Sequence, residues 1–181
     1  MEFYDLNEIG NCYWGSSSNE KRYLDEIHES NAWDSLLNSQ GDGAIISPEL
    51  KEAFHLLWVE RGRFIREQFA DDKRLLCLLQ TLFPPYSGDG LVLFRGENVD
   101  RFENNRLGLC WTPKVKVAQM FGSGLNACGA GGVLLKAFVP ASAILAGTHP
   151  HSVYLGEHEV TVNSSSLSLI EIVERYDPSD S

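Results

Sequence analysis

Pro84-Pro85-Tyr86-Ser87-Gly88-Asp89-Gly90 runs directly into Leu91-Val92-Leu93-Phe94-Arg95-Gly96, and the reading of this stretch decides the fold. Prolines and glycines this dense end a helix and make a turn. Upstream of them, apolar residues recur every three to four positions. Downstream they come in short unbroken runs, the texture of buried strands. The sequence therefore predicts a helical region over residues 1–84 and a mostly β region over 91–176 that together make one compact unit of the α+β class.

The upstream helices carry their own punctuation. Ser17-Ser18-Asn19-Glu20 has the form of a capping box, followed by Tyr23, Leu24 and Ile27 on one face. Ser47-Pro48-Glu49 offers an N-cap and a first-turn proline ahead of Leu50, Phe54, Leu57, Trp58, Ile65 and Phe69. Asp71-Asp72 can cap a third helix whose stripe is Leu75, Leu78, Leu79 and Leu82. Downstream, the patterns predict a strand over 91–94 ending at Arg95-Gly96 and a second over 107–111. A short helix then opens at Pro113 with Val117, Ala118 and Phe121. A turn at Gly129-Ala130-Gly131-Gly132 precedes a strand over 133–139. Further strands are expected over 159–162 and 167–173, with a frayed acidic tail from Asp177.

Composition narrows the function. The 181 residues are 43% hydrophobic, too apolar for a wholly disordered chain. No apolar run approaches the roughly 20 residues that span a bilayer, and the charged first thirty residues hold no secretory signal. Cys12, Cys77, Cys110 and Cys128 form no C-x-x-C pair, and the five histidines add no zinc spacing, so no metal is expected and a reducing, cytoplasmic setting is. The net charge of −10 argues against a protein built to hold nucleic acid or an anionic membrane. Within residues 95–136, however, Arg95, Arg101, Arg106, Lys114, Lys116 and Lys136 outnumber Glu97, Asp100 and Glu103, so an anionic ligand is best received there.

Three places carry chemistry. Arg95 at the end of a buried strand needs a partner, either a phosphate-bearing ligand or a salt bridge to Glu97 or Glu103. Gly96 beside it would let a ligand approach the backbone. Cys110-Trp111-Thr112 and Glu157-His158-Glu159 are the other two. In a strand, alternation would put Glu157 and Glu159 on one side, where each raises the pKa of the other; an exposed acidic strand end is the plainer reading.

In order and spacing, these segments resemble the catalytic core of ADP-ribosyltransferases of the arginine–serine–glutamate class. The matching pieces are Val92-Leu93-Phe94-Arg95-Gly96, Gly108-Leu109-Cys110-Trp111-Thr112 with Ala118-Gln119-Met120-Phe121, Gly132 to Pro140 with Ala143-Ile144-Leu145, and Gly156-Glu157-His158-Glu159-Val160. The likeness covers about residues 91–173 and leaves the first 90 residues unmatched. It implies a small split β-sheet core and NAD as a consumed substrate. It also implies roles: Arg95 on the phosphates or nicotinamide ribose, the Gly96 backbone on the carboxamide, and Thr112 orienting the catalytic glutamate. Trp111 and Phe121 would wall the nicotinamide unless they are packed core. Glu159 would be the catalytic glutamate and Glu157 the acceptor-activating one. Where the family has serine, this chain has Cys110. The function so implied is mono-ADP-ribosylation of a macromolecular acceptor, a protein and first of all its arginine, by a toxin or effector that an inhibitor protein could restrain. NAD glycohydrolysis is the alternative; transfer to nucleic acid and a catalytically inactive binding module rank below it.

Overall fold

A computed structural model describes residues 18–39, 46–69 and 71–179, and the fold is of the α+β class. Four helices lead: α1 (Asn19–Glu29), α2 (Trp33–Ser39), α3 (Pro48–Glu67) and α4 (Asp72–Leu82). Their starts follow the sequence chemistry. The Ser47 hydroxyl accepts from the Leu50 N–H at 3.1 Å with Pro48 in the first turn, and the Asp71 carboxylate accepts from Arg74 N–H at 2.9 Å. At α1 the described cap is Ser18, which accepts from Lys21 N–H; Ser17, like Cys12, lies outside the described residues.

After the Pro84–Gly90 turn come β1 (Leu91–Asn98), α5 (Val99–Glu103), β2 (Cys110–Trp111), α6 (Val115–Ser123), β3 (Gly132–Val139), β4 (Ile144–Ala146), α7 (Pro150–Tyr154), β5 (Val160–Val162) and β6 (Glu171–Tyr176). They form two antiparallel three-stranded sheets, ordered β1-β3-β6 and β2-β5-β4. A single bridge joins the sheets: Phe94 and Thr112 exchange both backbone hydrogen bonds, at 2.8 and 2.9 Å. The cores are two. One fills the helical part with Leu24, Trp33, Phe54, Trp58, Leu75, Leu79 and Phe83 and reaches Leu109 and Ala146 at the second sheet. The other lies between the sheets around Leu93, Trp111, Leu135, Val139, Val160 and Val162.

Several expected boundaries move, each for a local reason. The strand expected over 107–111 shrinks to Cys110–Trp111 because its carbonyls are claimed from elsewhere. Arg101 Nε donates to Arg106 O (3.3 Å), Arg66 to Leu107 O (3.2 Å), Ser164 Oγ to Gly108 O (2.7 Å), Val162 N–H to Leu109 O (2.8 Å) and Arg95 to Cys110 O. Every carbonyl of that segment is satisfied, mostly by side chains rather than by a ladder. β1 runs on to Asn98, so Arg95 sits inside the strand rather than at its end. The last strand starts at Glu171 rather than 167, and Ser179 N–H still bonds Ala127 O at 2.8 Å, so the tail does not fray at Asp177. The helix after Pro113 begins at Val115, while α2, α5, α7 and β4 carried no periodicity long enough to announce them.

Candidate active site

A cleft of about 1120 Å³ opens between α3 and the line where the two sheets meet. Arg95, Gly96, Trp111, Thr112, Phe121, Glu157 and Glu159 all border it, so residues from distant parts of the chain are gathered into one place. Its helical wall comes from Trp58, Gly62, Arg63, Arg66 and Phe69, which the matched motifs do not contain.

The arginine side is built around one carboxylate. Glu97 is fully buried; its Oε2 accepts from Arg95 Nε and from Gly108 N–H, both at 2.8 Å, and its Oε1 from Asn98 N–H at 3.0 Å. Arg101 Nε lies 3.7 Å from the same group. Burial by itself would push the Glu97 carboxyl up, but these cations and N–H groups outweigh it and hold it below its ordinary value. The Arg95 salt bridge to Glu97 is thus real, and Arg95 borders the cleft all the same. The guanidinium is laid against Gly108, where a Cβ would stand 1.9 Å from it, so this glycine is what makes room.

Gly96 borders the cleft and also serves packing. A Cβ there would fall 2.1 Å from Ala118 O and 2.2 Å from Gly122 N, so its bare face is pressed on α6, and its carbonyl is taken by Asn126 Nδ2 at 2.8 Å. Trp111 likewise belongs to the core: it is 1% exposed and its indole N–H donates to Ser164 Oγ at 3.0 Å. The aromatic border of the cleft falls to Phe121, which is half-buried, with Phe94 and Phe69.

The acidic side is held by a turn, not by strand alternation. Gly156 (φ 77°) and His158 (φ 49°) are both left-handed, and β5 begins only at Val160. A non-glycine residue in this region is uncommon and marks a backbone fixed by its surroundings. The fixing group is Ser152 of α7, fully buried. Its carbonyl accepts from Glu157 N–H (3.0 Å) and His158 N–H (3.2 Å), and its hydroxyl accepts from Glu159 N–H (2.7 Å). Thr112 adds a fourth tie, donating its hydroxyl to Glu157 O at 2.7 Å. Thr112 therefore orients the turn through its backbone.

Cys110 stands beside the carboxylate. Burial pushes its thiol well above its usual range, and the neighbouring Glu159 adds to this. Glu159 in turn is driven up to about 7 by burial; Cys110 and Arg95 pull against this, and the Glu157 charge adds to it. Its Oε1 is buried without a hydrogen-bond partner. An orphaned carboxylate oxygen bordering a cleft is an acceptor waiting for a donor or a cation.

No protein-family model, curated protein or solved structure matches this chain. Among the described residues no group of His, Cys, Asp and Glu could hold a metal ion, and no helix is long and apolar enough to cross a membrane.

Ser152, Arg66 and Trp58 went unnoticed as site residues in the sequence, which names Glu97 only as a possible salt-bridge partner of Arg95. Only Glu97 left a signal, an acid two positions after Arg95 and so on the same side of one strand.

Proposed function

We propose that this protein is a mono-ADP-ribosyltransferase that takes the ADP-ribosyl group from NAD+ and places it on a macromolecular acceptor, an arginine side chain of a protein. The observation that carries this reading is Glu159, a half-buried residue whose carboxylate Oε1 is buried without a partner, bordering one cleft with the guanidinium of Arg95. A ligand suited to that cleft is anionic in one part and becomes cationic in another. NAD+ meets both conditions once its glycosidic bond breaks.

In this chemistry the bond from ribose C1′ to the nicotinamide nitrogen cleaves, and nicotinamide leaves with the electron pair. The ribose is left oxocarbenium-like, and a fixed carboxylate beside it stabilises the charge, an effect often the largest in catalysis. Glu159 fills that role; Arg95 holds the phosphates; the acceptor nitrogen attacks C1′, and Glu157 takes its proton. The order of Arg95, Cys110 with Thr112, and Glu157 with Glu159 supports the reading, as do two small sheets joined at Phe94 and Thr112. Cys110 stands where the resemblance has serine, and its thiol and the Glu159 carboxyl influence one another electrostatically.

Transfer and hydrolysis separate at Glu157. Glu157→Gln keeps the size of the side chain but removes the base, so it should lose acceptor labelling while still releasing nicotinamide slowly to water. The two products are assayed on one sample with adenylate-labelled NAD+. Equal loss of both would mean that Glu157 serves NAD+ itself, and full labelling would exclude an arginine acceptor.

A further inference from the structure

The arginine wall of the cleft holds more positive charge than one ligand-binding arginine requires. Arg66, Arg95 and Arg101 donate to the carbonyls of Leu107, Cys110 and Arg106, so their guanidiniums are strung along a single five-residue segment. The Arg106 side chain makes no hydrogen bond or ion pair among the described residues. Facing these four cations are two carboxylates. Glu97 is shared by Arg95 and Arg101, and Asp72 is held by Arg66 at 2.6 Å. Of the other charges along the cleft, Arg63 and Glu67 pair with each other at 2.9 Å, Asp71 caps α4, and Glu157 and Glu159 belong to the turn after α7. With Asp71 counted, the arginine wall is left with an excess of one positive charge, in a chain whose net charge is −10. Burial lowers the pKa of Arg101; Glu97 opposes this, and the neighbouring Arg95, Arg66 and Arg106 add to it.

We infer that Arg66, Arg101 and Arg106, together with Arg95, form a diphosphate subsite that receives the two negative charges of a pyrophosphate diester. Guanidiniums held by backbone carbonyls are already oriented, so a ligand oxygen meets a fork that loses little freedom on binding. Arg101 and Arg66 are 43% and 23% exposed, open enough to be reached and buried enough to be only partly screened. Trp58 lines the same cleft from α3, and its indole N–H is buried without an acceptor. That is a second donor in want of an oxygen, independent of the charges.

The inference rests on the NAD+ reading for the identity of the ligand, but it is testable without turnover. Calorimetric titrations with ADP-ribose, inorganic pyrophosphate, AMP and inorganic phosphate, in low and physiological salt, measure the subsite directly. ADP-ribose and pyrophosphate should bind at least tenfold more tightly than AMP or phosphate, and added salt should weaken them. Arg106→Gln removes an exposed side chain without partners among the described residues, so its thermal unfolding should match wild type while its ADP-ribose affinity falls about fivefold or more. Arg101→Gln should fall similarly. Unchanged affinity in Arg106→Gln, or AMP binding as tightly as ADP-ribose, would overturn the diphosphate subsite. ADP-ribose binding that depends on these arginines, without nicotinamide release from NAD+, would keep the subsite and defeat the transferase. Nicotinamide release with an unchanged NAD+ KM in both variants would do the reverse.

Discussion

A carboxylate packed beside a thiol is hard to ionise, and Glu159 carries the consequence for both stability and rate. Its ordinary value of 4.5 rises to about 7 in the folded protein. Between those pH values the folded state holds a proton that the unfolded chain has released, so stability falls as pH rises from about 4.5 to about 7. The loss is on the order of 3 kcal/mol, fully felt above pH 7. Glu159→Gln keeps the shape without the charge. It should therefore unfold at higher urea than wild type at pH 8 and at a similar concentration near pH 4. If the carboxylate is the acting form, kcat/KM for NAD+ in the wild type should climb through about pH 7. Cys110→Ser puts a stronger hydrogen-bond donor beside the same carboxyl and should move that climb to lower pH. A climb that stays in place would mean that Cys110 has no hold on Glu159.

One element, α7, shows how a five-residue helix can govern a site. Ser152 accepts from the N–H groups of all three residues of the turn from Glu157 to Glu159. Ser152→Ala deletes the hydroxyl and leaves the Glu159 N–H buried without an acceptor, a cost of about 1–3 kcal/mol in stability. Glu159 should then drift from its position, lowering kcat tenfold or more while KM for NAD+, set at the arginine wall, stays within about twofold. Ser152→Thr, which restores the acceptor, should recover much of kcat. An equal fall in kcat and rise in KM would mark Ser152 as merely structural.

The same element shows what the sequence could and could not reveal. α3 and α4 were legible because their apolar stripes span several turns and Ser47 and Asp71 cap them. β1 was legible as an apolar run after a turn. α7 is too short to display a period, and nothing about an isolated serine foretells three bonds to a turn seven residues on. The segment from Arg106 to Cys110 reads as strand because its side chains are apolar. The groups that claim its carbonyls include Arg66 and Ser164, 41 and 56 residues away, and no local pattern contains them. Arg95, Thr112, Glu157 and Glu159 were legible as a set through their order along the chain, while the left-handed His158 that seats the two glutamates was not.

At the scale of the whole molecule, the cleft is polarised by its two walls. The helical half supplies Trp58 and Arg66, the junction of the sheets supplies Arg95, and the turn after α7 supplies the carboxylates. A molecule of net charge −10 thus concentrates cations on one side of one cleft and sets a partnerless carboxylate oxygen in the same space. The central claim is that this carboxylate breaks the glycosidic bond of NAD+. The measurement that meets it most directly is nicotinamide release from NAD+ by purified wild type and Glu159→Gln at pH 8. Thermal unfolding of both proteins shows that each is folded. The account predicts steady release by wild type and a loss of about 100-fold or more in Glu159→Gln. Comparable release by the folded variant, or none by wild type with or without an arginine-bearing acceptor, would contradict it.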